Sequence, residues 1–339
     1  MTPVNQFRTS VLVPVFWRES SVRAILQLRR ALDSIAEQKF PDPFEVLIID
    51  DGSTSPVENV RDRISPITLS SVTRFIRTSR NNGLVHALNL GINESRYEYI
   101  ARLDSDDRWR PTKIEKQFKL FERDTDLSIT ATGMNTVTPE GAILECHIRP
   151  GDWNGILRFS METGCPFPHG SVLARRDVFR TLGGYSHHPD VAYCEDYALW
   201  SIWLRFFKAA MVEEPLYDYT ISPYSLSSAH GEQQRRASRL VNTRFAAIDP
   251  IDRVPRALHD LAIACGLSML EAGTLAYRCW AYRPTVRLPS DAVAALKALM
   301  PDRVLLPEVD NGQASVSLER IVGRRGNWQT GETTLARIL

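Results

Sequence analysis

The sequence predicts an α/β fold, a Rossmann-like and mostly parallel sheet flanked by helices, followed by a mainly helical C-terminal extension. Three observations carry it. Over the first 125 residues, short apolar runs alternate with segments of helical periodicity, two of those runs end in acidic clusters, and after about residue 232 the chain turns helical and arginine-rich. Strand and helix in alternation imply right-handed crossovers and parallel pairing. In such sheets ligands bind beyond the carboxyl ends of the strands.

Ser10–Val15 reads as a strand buried on both faces. Val22, Ile25, Leu28, Leu32 and Ile35 then mark one face of a helix, with Ser20 and Ser21 available to cap it. Glu45–Asp50 is a second buried strand, and Asp51-Gly52-Ser53 a turn. Val72–Ile76 and Tyr99–Leu103 are further strands, separated by a helix over Leu84–Ile92, and Pro111 opens a helix that turns Ile114, Phe118 and Phe121 inward. From about residue 127 the pattern changes. Strands are expected over Leu127–Thr132, Ala142–Ile148 and Ser171–Ala174, and helices over Trp153–Met161 and Glu195–Phe207. These readings divide the chain into a catalytic domain over 1–231, with halves of about 1–125 and 126–231, and an extension over 232–339. The last thirty residues, with Gly323, Gly326 and Gly331, read as loosely ordered.

Composition narrows the class. The chain has 339 residues, 43% hydrophobic and 24% charged, which are ordinary globular values. A formal net charge of +1 gives no global attraction to nucleic acid or anionic lipid. The five cysteines stand at no zinc-ligand spacing, and reduced structural thiols are expected. No apolar run approaches the roughly 20 residues of a membrane span, so the expected location is cytoplasmic, with contact at the inner face of the membrane left open.

The chemistry concentrates in three acidic clusters. Asp104, Asp106 and Asp107 crowd the end of a buried strand. Like charges this close repel unless something positive sits among them, and Mg²⁺ or Mn²⁺ with oxygen ligands would relieve them while leaving positions for phosphate oxygens; caps or solvated acids are the alternative. Asp50 and Asp51 suit hydrogen bonds from a nucleobase or ribose, or merely an Asp-Gly turn. Glu195 and Asp196 open a helix, as a general base would or as acids serving the helix dipole do. The dipole and a nearby metal both favour an ionised Asp196.

Taken in order, these segments resemble the family 2 glycosyltransferases of the GT-A fold, over roughly residues 8 to 230. The resemblance rests on Ser10–Val15, Ile48-Ile49-Asp50-Asp51-Gly52-Ser53, Arg80-Asn81-Asn82-Gly83 with Ala87, Asn89 and Gly91, Arg102–Asp107, His169-Gly170-Ser171, Gly183-Gly184-Tyr185, and Glu195–Trp200. It implies that Pro14, Val15, Asp50, Asp51, Asn82 and Gly83 hold the nucleoside, usually of UDP. It implies that Arg102 and Asp104 contact the donor, that Asp106 with Asp104 ligates the metal, and that His230 is a candidate third ligand. Asp196 would be the catalytic base, with Glu195 and Trp200 near the acceptor, and His169 and Gly170 would line the floor where sugar and acceptor meet. The expected partners are a nucleoside-diphosphate sugar and a saccharide or lipid-linked saccharide, and the expected outcome is inversion in one displacement.

Two competing readings stand beside it. A nucleotidyltransferase would favour a Gly-rich loop with a lysine after the first strand, where this chain has Phe16-Trp17-Arg18-Glu19. A non-catalytic sugar-nucleotide-binding protein would not need Asp106 and Asp196. In the extension, Arg235, Arg236, Arg239 and Arg244 form a basic stretch. It reads either as a solvated helix face or as contact with a lipid diphosphate or an anionic membrane.

Overall fold

A computed structural model describes residues 7–222, 230–246, 253–282, 286–300, 306–310 and 313–317. The first half follows the predicted alternation: β1 (Thr9–Val15), α1 (Val22–Ala36), β2 (Phe44–Asp50), a short α2 (Arg61–Ile64), β3 (Thr73–Arg77), α3 (Leu84–Glu94) and β4 (Tyr99–Arg102). Ser21 caps α1, its hydroxyl accepting from the Ala24 N–H. The strands lie in the order β3-β2-β1-β4, and all three pairings are parallel. The order reverses between β1 and β4, so the crevice of a doubly wound sheet opens at their carboxyl ends, where Phe16 and Leu103 follow.

Both faces of these strands are buried, which explains their unbroken apolar runs. Val11, Val13, Val46, Ile48 and Ala101 pack with Ile25, Leu28 and Leu32 of α1 on one side. Leu12, Leu47, Ile49 and Ile100 pack with Leu88 and Ile92 of α3 on the other. The period of two along each strand distributes alternate side chains between the two cores.

Beyond β4 the sheet continues as β8-β6-β9-β5. The elements in chain order are β5 (Arg108–Trp109), α4 (Lys113–Arg123), β6 (Ile129–Val137), β7 (Ile143–His147), α5 (Trp153–Glu162), β8 (Leu173–Arg175), α6 (Arg176–Leu182), α7 (Glu195–Phe206) and β9 (Ala209–Thr220). β8 is antiparallel to β4 and β6, β7 edges β6 in antiparallel fashion, and β6 runs parallel to β9. The sequence reading made no strand of Ala209–Thr220. Pro215, which donates nothing to a ladder, hides it, and the register shift between Thr132 and Met134 accommodates that proline. The strand expected at Ser171 begins later, because His169–Ser171 forms a 3-10 turn.

The extension holds α8 (Gly231–Ala246), α9 (Val254–Cys265), α10 (Met269–Tyr282) and α11 (Ser290–Leu299), together with a small antiparallel sheet of β10 (Val286–Leu288), β12 (Gln313–Ser317) and β11 (Leu306–Asp310). That sheet was not anticipated. The remainder of the last thirty residues, including Gly323, Gly326 and Gly331, lies outside the described residues. Leu258, Leu261, Ala276, Tyr277 and Leu296 join the same apolar core as Trp203, Leu204 and Phe206 of α7. The Arg205 guanidinium donates to the Leu299 carbonyl at 2.8 and 3.1 Å. Among the described residues no helix is long and apolar enough to cross a membrane.

The docking of α10 turns on Gly273, where a Cβ would collide with the Phe206 carbonyl and the Phe207 ring. Gly273→Ala should therefore lower stability by roughly 1–3 kcal/mol, the usual cost of overpacking, seen as a reduced melting temperature. An unchanged melting temperature would mean that α10 does not approach α7 this closely.

Candidate active site

The crevice is built from loops that leave the sheet at its carboxyl edge, and acidic side chains tie those loops down. Asp50 accepts from the Ser53 and Val57 N–H groups at 2.8 and 3.0 Å and pairs with Arg77 at 3.1 Å. Asp51 accepts from the Thr78 hydroxyl and the Asn82 N–H at 3.1 Å, and from the Gly83 N–H at 2.7 Å. Both residues are buried. The expectation that these carboxylates contact base and ribose thus meets groups already engaged in holding the 51–57 and 78–83 loops. Gly52, at φ +72°, sits beneath the second loop, where a Cβ would strike the backbone of Arg80. Pro14 and Val15 are buried at the end of β1, and Val15 accepts from the Asp51 N–H at 2.9 Å. Asn82 stands at the exposed rim, and Gly83, at φ +91°, leads into α3. Beside them Phe16 is 40% exposed. Sequence reasoning missed it, although an aromatic residue directly after the first buried strand was a legible signal.

The cluster after β4 separates into distinct jobs. Asp107 is fully buried: it accepts from the Tyr217 hydroxyl and, at 2.7 Å, from the Thr220 N–H, which fastens β9 to the crevice. Burial, then Asp106 and Asp104, push its pKa well above the carboxylate range. Asp104 is half-buried and pairs with Arg102 at 2.5 Å. Among the described residues no side chain donates to the Asp106 carboxylate. Burial, then the charge of Asp104, push it up to about 6.

Arg102 is the centre of the site. Its side chain is 5% exposed, and among the described residues only Nη2 is engaged, with Asp104, while Nε and Nη1 are buried without a hydrogen-bond partner. Burial opposes its charge, and Asp104, followed by Tyr217, Tyr185 and Asp196, more than offsets that, so the guanidinium stays protonated.

Across Arg102 stand Glu195 and Asp196, the first residues of α7. Asp196 accepts from the Tyr197 N–H at 2.7 Å, and the Cys165 thiol lies 3.8 Å from its other oxygen. Burial raises its pKa, against the opposing pull of the Tyr197 N–H and Arg102. The helix dipole was expected to favour the ion; desolvation acts in the other direction and is the larger influence. Glu195 is pushed up to about 7 by burial and then by Asp196.

His169 lies with Nδ1 3.8 Å from Asp196 and Nε2 2.8 Å from the Tyr185 hydroxyl. Burial, then Arg102, hold its pKa well below the usual value, so it is neutral and its contact with Asp196 is not an ion pair. Tyr185 is fixed in turn by Asn89, whose side chain donates to the Tyr185 carbonyl and accepts from its N–H, both at 2.8 Å. Gly170 accepts from the Trp109 indole at 2.8 Å and leaves room for the Tyr217 ring. Trp200, expected beside the acceptor, is fully buried and packs edge-on against His169 and Phe167. Among the described residues its indole N–H has no hydrogen-bond partner. His230 stacks on Tyr193 at 4.0 Å, and among the described residues no three acidic, histidine or cysteine side chains form a metal-holding group. A divalent cation nevertheless fits Asp104 and Asp106. These are hard oxygen donors at the crevice, one of them with no side-chain donor among the described residues, and phosphate oxygens would complete the shell.

The chain is similar to known proteins in sequence and in fold. The family model described as "Glycosyl transferase family 2" matches residues 10–183, just over half of the chain. A protein described as "Putative glycosyltransferase EpsE" from Bacillus subtilis is 30% identical over 195 residues, covering 56% of this chain and 66% of that one. The Escherichia coli protein named UDP-Gal:alpha-D-GlcNAc-diphosphoundecaprenol beta-1,3-galactosyltransferase is 30% identical over 207 residues, again covering 56% of this chain and 66% of the relative. The chain thus spans just under two thirds of the length of these relatives. In fold it is similar to the Pyrobaculum calidifontis mannosyltransferase PcManGT, solved in complex with GDP-Man and Mn2+. The TM-score is 0.52 at 19% identity, covering 86% of this chain and 80% of that one.

Raised carboxyl pKa values have a consequence for stability. The folded chain binds protons at Asp106 and Glu195 more tightly than the unfolded chain does, so their contribution is complete below the unfolded values and is lost as pH rises through about 6 to 7. The metal-free protein should melt higher at pH 5.5 than at pH 8. At pH 8 Asp106→Asn should stabilise it by roughly 1–3 kcal/mol, the scale of one to two pKa units. Thermal melts of both proteins at the two pH values check this. A destabilised Asp106→Asn would make Asp106 a structural acid like Asp107.

Proposed function

The chain belongs to glycosyl transferase family 2, and from that premise we propose that it moves a sugar, with inversion, from a UDP-sugar to a hydroxyl of a saccharide carried on a lipid diphosphate, in the assembly of a surface polysaccharide. The observation that carries this reading is the gathering of two pairs of carboxylates, Asp104/Asp106 and Glu195/Asp196, around a buried Arg102 that has donors to spare. The donor sugar and its linkage belong between them.

On the donor side, the exposed Phe16 ring offers a face for the base, and the loops fixed by Asp50 and Asp51 form the walls of the nucleoside pocket. Mg²⁺ or Mn²⁺, held by Asp106 and Asp104, supplies Lewis-acid neutralisation of the departing diphosphate. The free N–H groups of Arg102 can donate to oxygens where negative charge grows, in a site already screened from water. PcManGT, whose solved complex contains Mn2+, supports the cation. The UDP-Gal-dependent relative supports both the uridine nucleotide and the lipid diphosphate.

On the acceptor side, Asp196 takes the hydroxyl proton as the oxygen attacks the anomeric carbon. Glu195 beside it, with its pKa near 7, absorbs the pair's first proton and leaves Asp196 free to act. Neutral His169, anchored through Tyr185 to Asn89, sets the floor without adding charge. A single displacement needs no carboxylate nucleophile, and the mechanism assigns none. A cytoplasmic position, peripheral to the membrane, follows from the proposed acceptor.

A screen of nucleotide-sugar donors by nucleotide release tests the reading, with EDTA abolishing transfer and Mg²⁺ or Mn²⁺ restoring it. Full activity in a rigorously metal-free sample would remove Asp106 from its role. Asp196→Asn should lower kcat by about 10²–10⁴-fold, the usual range for a general base, with UDP affinity and melting temperature little changed. Near-normal turnover with a weakened fold would instead make Asp196 a helix cap.

A further inference from the structure

α8 carries a stripe that the donor and acceptor chemistry described above does not use. Arg236, Arg239, Leu240 and Thr243 recur at helical spacing on one face and, with Asp190 of the 189–191 turn, line a cleft of about 350 Å³. The opposite face is consumed by packing, since Ala237 and Val241 are buried. Arg236 and Arg239 are exposed, and among the described residues neither has an ion-pair partner. Asp190 has His188 as its basic neighbour, 3.8 Å away. The cleft therefore presents two guanidinium groups against one carboxylate, in a molecule whose net charge is only +1.

This cleft adjoins the catalytic helix. Asn242, beside Thr243, lies 3.3 Å from the Tyr197 hydroxyl and donates to the Met161 carbonyl at 2.5 Å, and Tyr197 directly follows Asp196. At the other end, His230 at the head of α8 stacks on Tyr193 with the rings 8° from parallel. Tyr193 is held at φ +63°, a conformation that a bulky residue adopts only when its surroundings impose it. The segment from Asp190 to Asp196 thus joins the cleft to the base over six residues, a reach of about 20 Å even if fully extended.

We infer that the α8 cleft is the subsite for the acceptor's diphosphate, with Arg236 and Arg239 as its ligands; this rests on the glycosyl-transfer reading of the crevice. A saccharide on a lipid diphosphate has its anionic group within a ring or so of the hydroxyl that reacts. Guanidinium groups match phosphate oxygens in charge and in bidentate geometry. The subsite anchors the acceptor away from the reacting bond, so the two arginines act on acceptor binding and not on the chemical step. α8 keeps its apolar face in the core, so the same surface is not built to insert into a bilayer.

The test uses inorganic pyrophosphate as probe, titrated by calorimetry into the full chain with saturating UDP and Mn²⁺ so that the donor site is filled. Arg236→Gln/Arg239→Gln should weaken pyrophosphate binding by about 10- to 100-fold, the scale of lost charged hydrogen bonds, and binding to the unaltered chain should fall with added salt. Arg235→Gln removes the same charge from a residue that does not line the cleft and should change the affinity little. Unchanged affinity in the double variant, or an equal loss in Arg235→Gln, would overturn the assignment. Flotation with phosphatidylglycerol vesicles separates the sources of phosphate: a double variant that loses vesicles but keeps pyrophosphate would make the stripe a membrane contact and overturn the subsite. UDP affinity and donor turnover, measured on the same samples, keep the two readings apart. A chain that binds pyrophosphate through these arginines but releases no nucleotide from any donor would refute glycosyl transfer and leave the anion site standing.

Discussion

A single buried cation organises this molecule's chemistry. Arg102 ends β4 at the point where strand order reverses, and it brings a full positive charge into a crevice whose walls carry Asp104, Asp106, Glu195 and Asp196. Removing Asp106, Glu195 and Asp196 from water raises their pKa values, and without a cation among them they would protonate or push apart. Arg102, even with Arg23 acting on Asp106 and Arg149 near Asp196, does not fully offset the burial of these carboxyl groups. The remainder appears as Asp106 near 6 and Glu195 near 7. On the donor side, Asp104 and Asp106 together offer the hard oxygen donors that a divalent cation would take.

The rest of the scaffold serves to hold the walls where Arg102 needs them. Polar side chains tie loops to strands: Asp50 and Asp51 hold the 51–57 and 78–83 loops, Asp107 holds β9, and Asn89 holds the 183–185 turn. Each tie satisfies buried N–H groups that would otherwise be costly. Aromatic packing does the corresponding work beneath α7, where Trp200 and Trp203 meet Phe179 edge-on. Loops that must be open to ligand are therefore supported from below and not by contacts across the opening.

Much of this was legible in the sequence. Apolar runs marked β1, β2 and β4, the last two followed by Asp-Gly and by clustered aspartates, because strands buried on both faces leave an unambiguous pattern. The identity of each acid's task was not legible. Asp106 and Asp107 are adjacent and chemically identical, yet among the described residues no side chain donates to the first, while the second anchors Tyr217 and Thr220. The difference comes from β9, whose Pro215 concealed it. Trp200 illustrates the same limit, since a helix period indicates which residues share a face but not how deep that face lies. The small β10–β12 sheet pairs strands separated by α11, a non-local arrangement that no local pattern announces.

The most direct test of the account is a crystal of the chain grown with UDP and Mn²⁺, with the metal located by anomalous scattering. The account predicts a manganese peak between the carboxylates of Asp104 and Asp106, with a ligand oxygen within hydrogen-bonding distance of Arg102 Nε or Nη1. A peak elsewhere in the crevice, or a bound nucleotide that leaves both nitrogens without a partner, would contradict it.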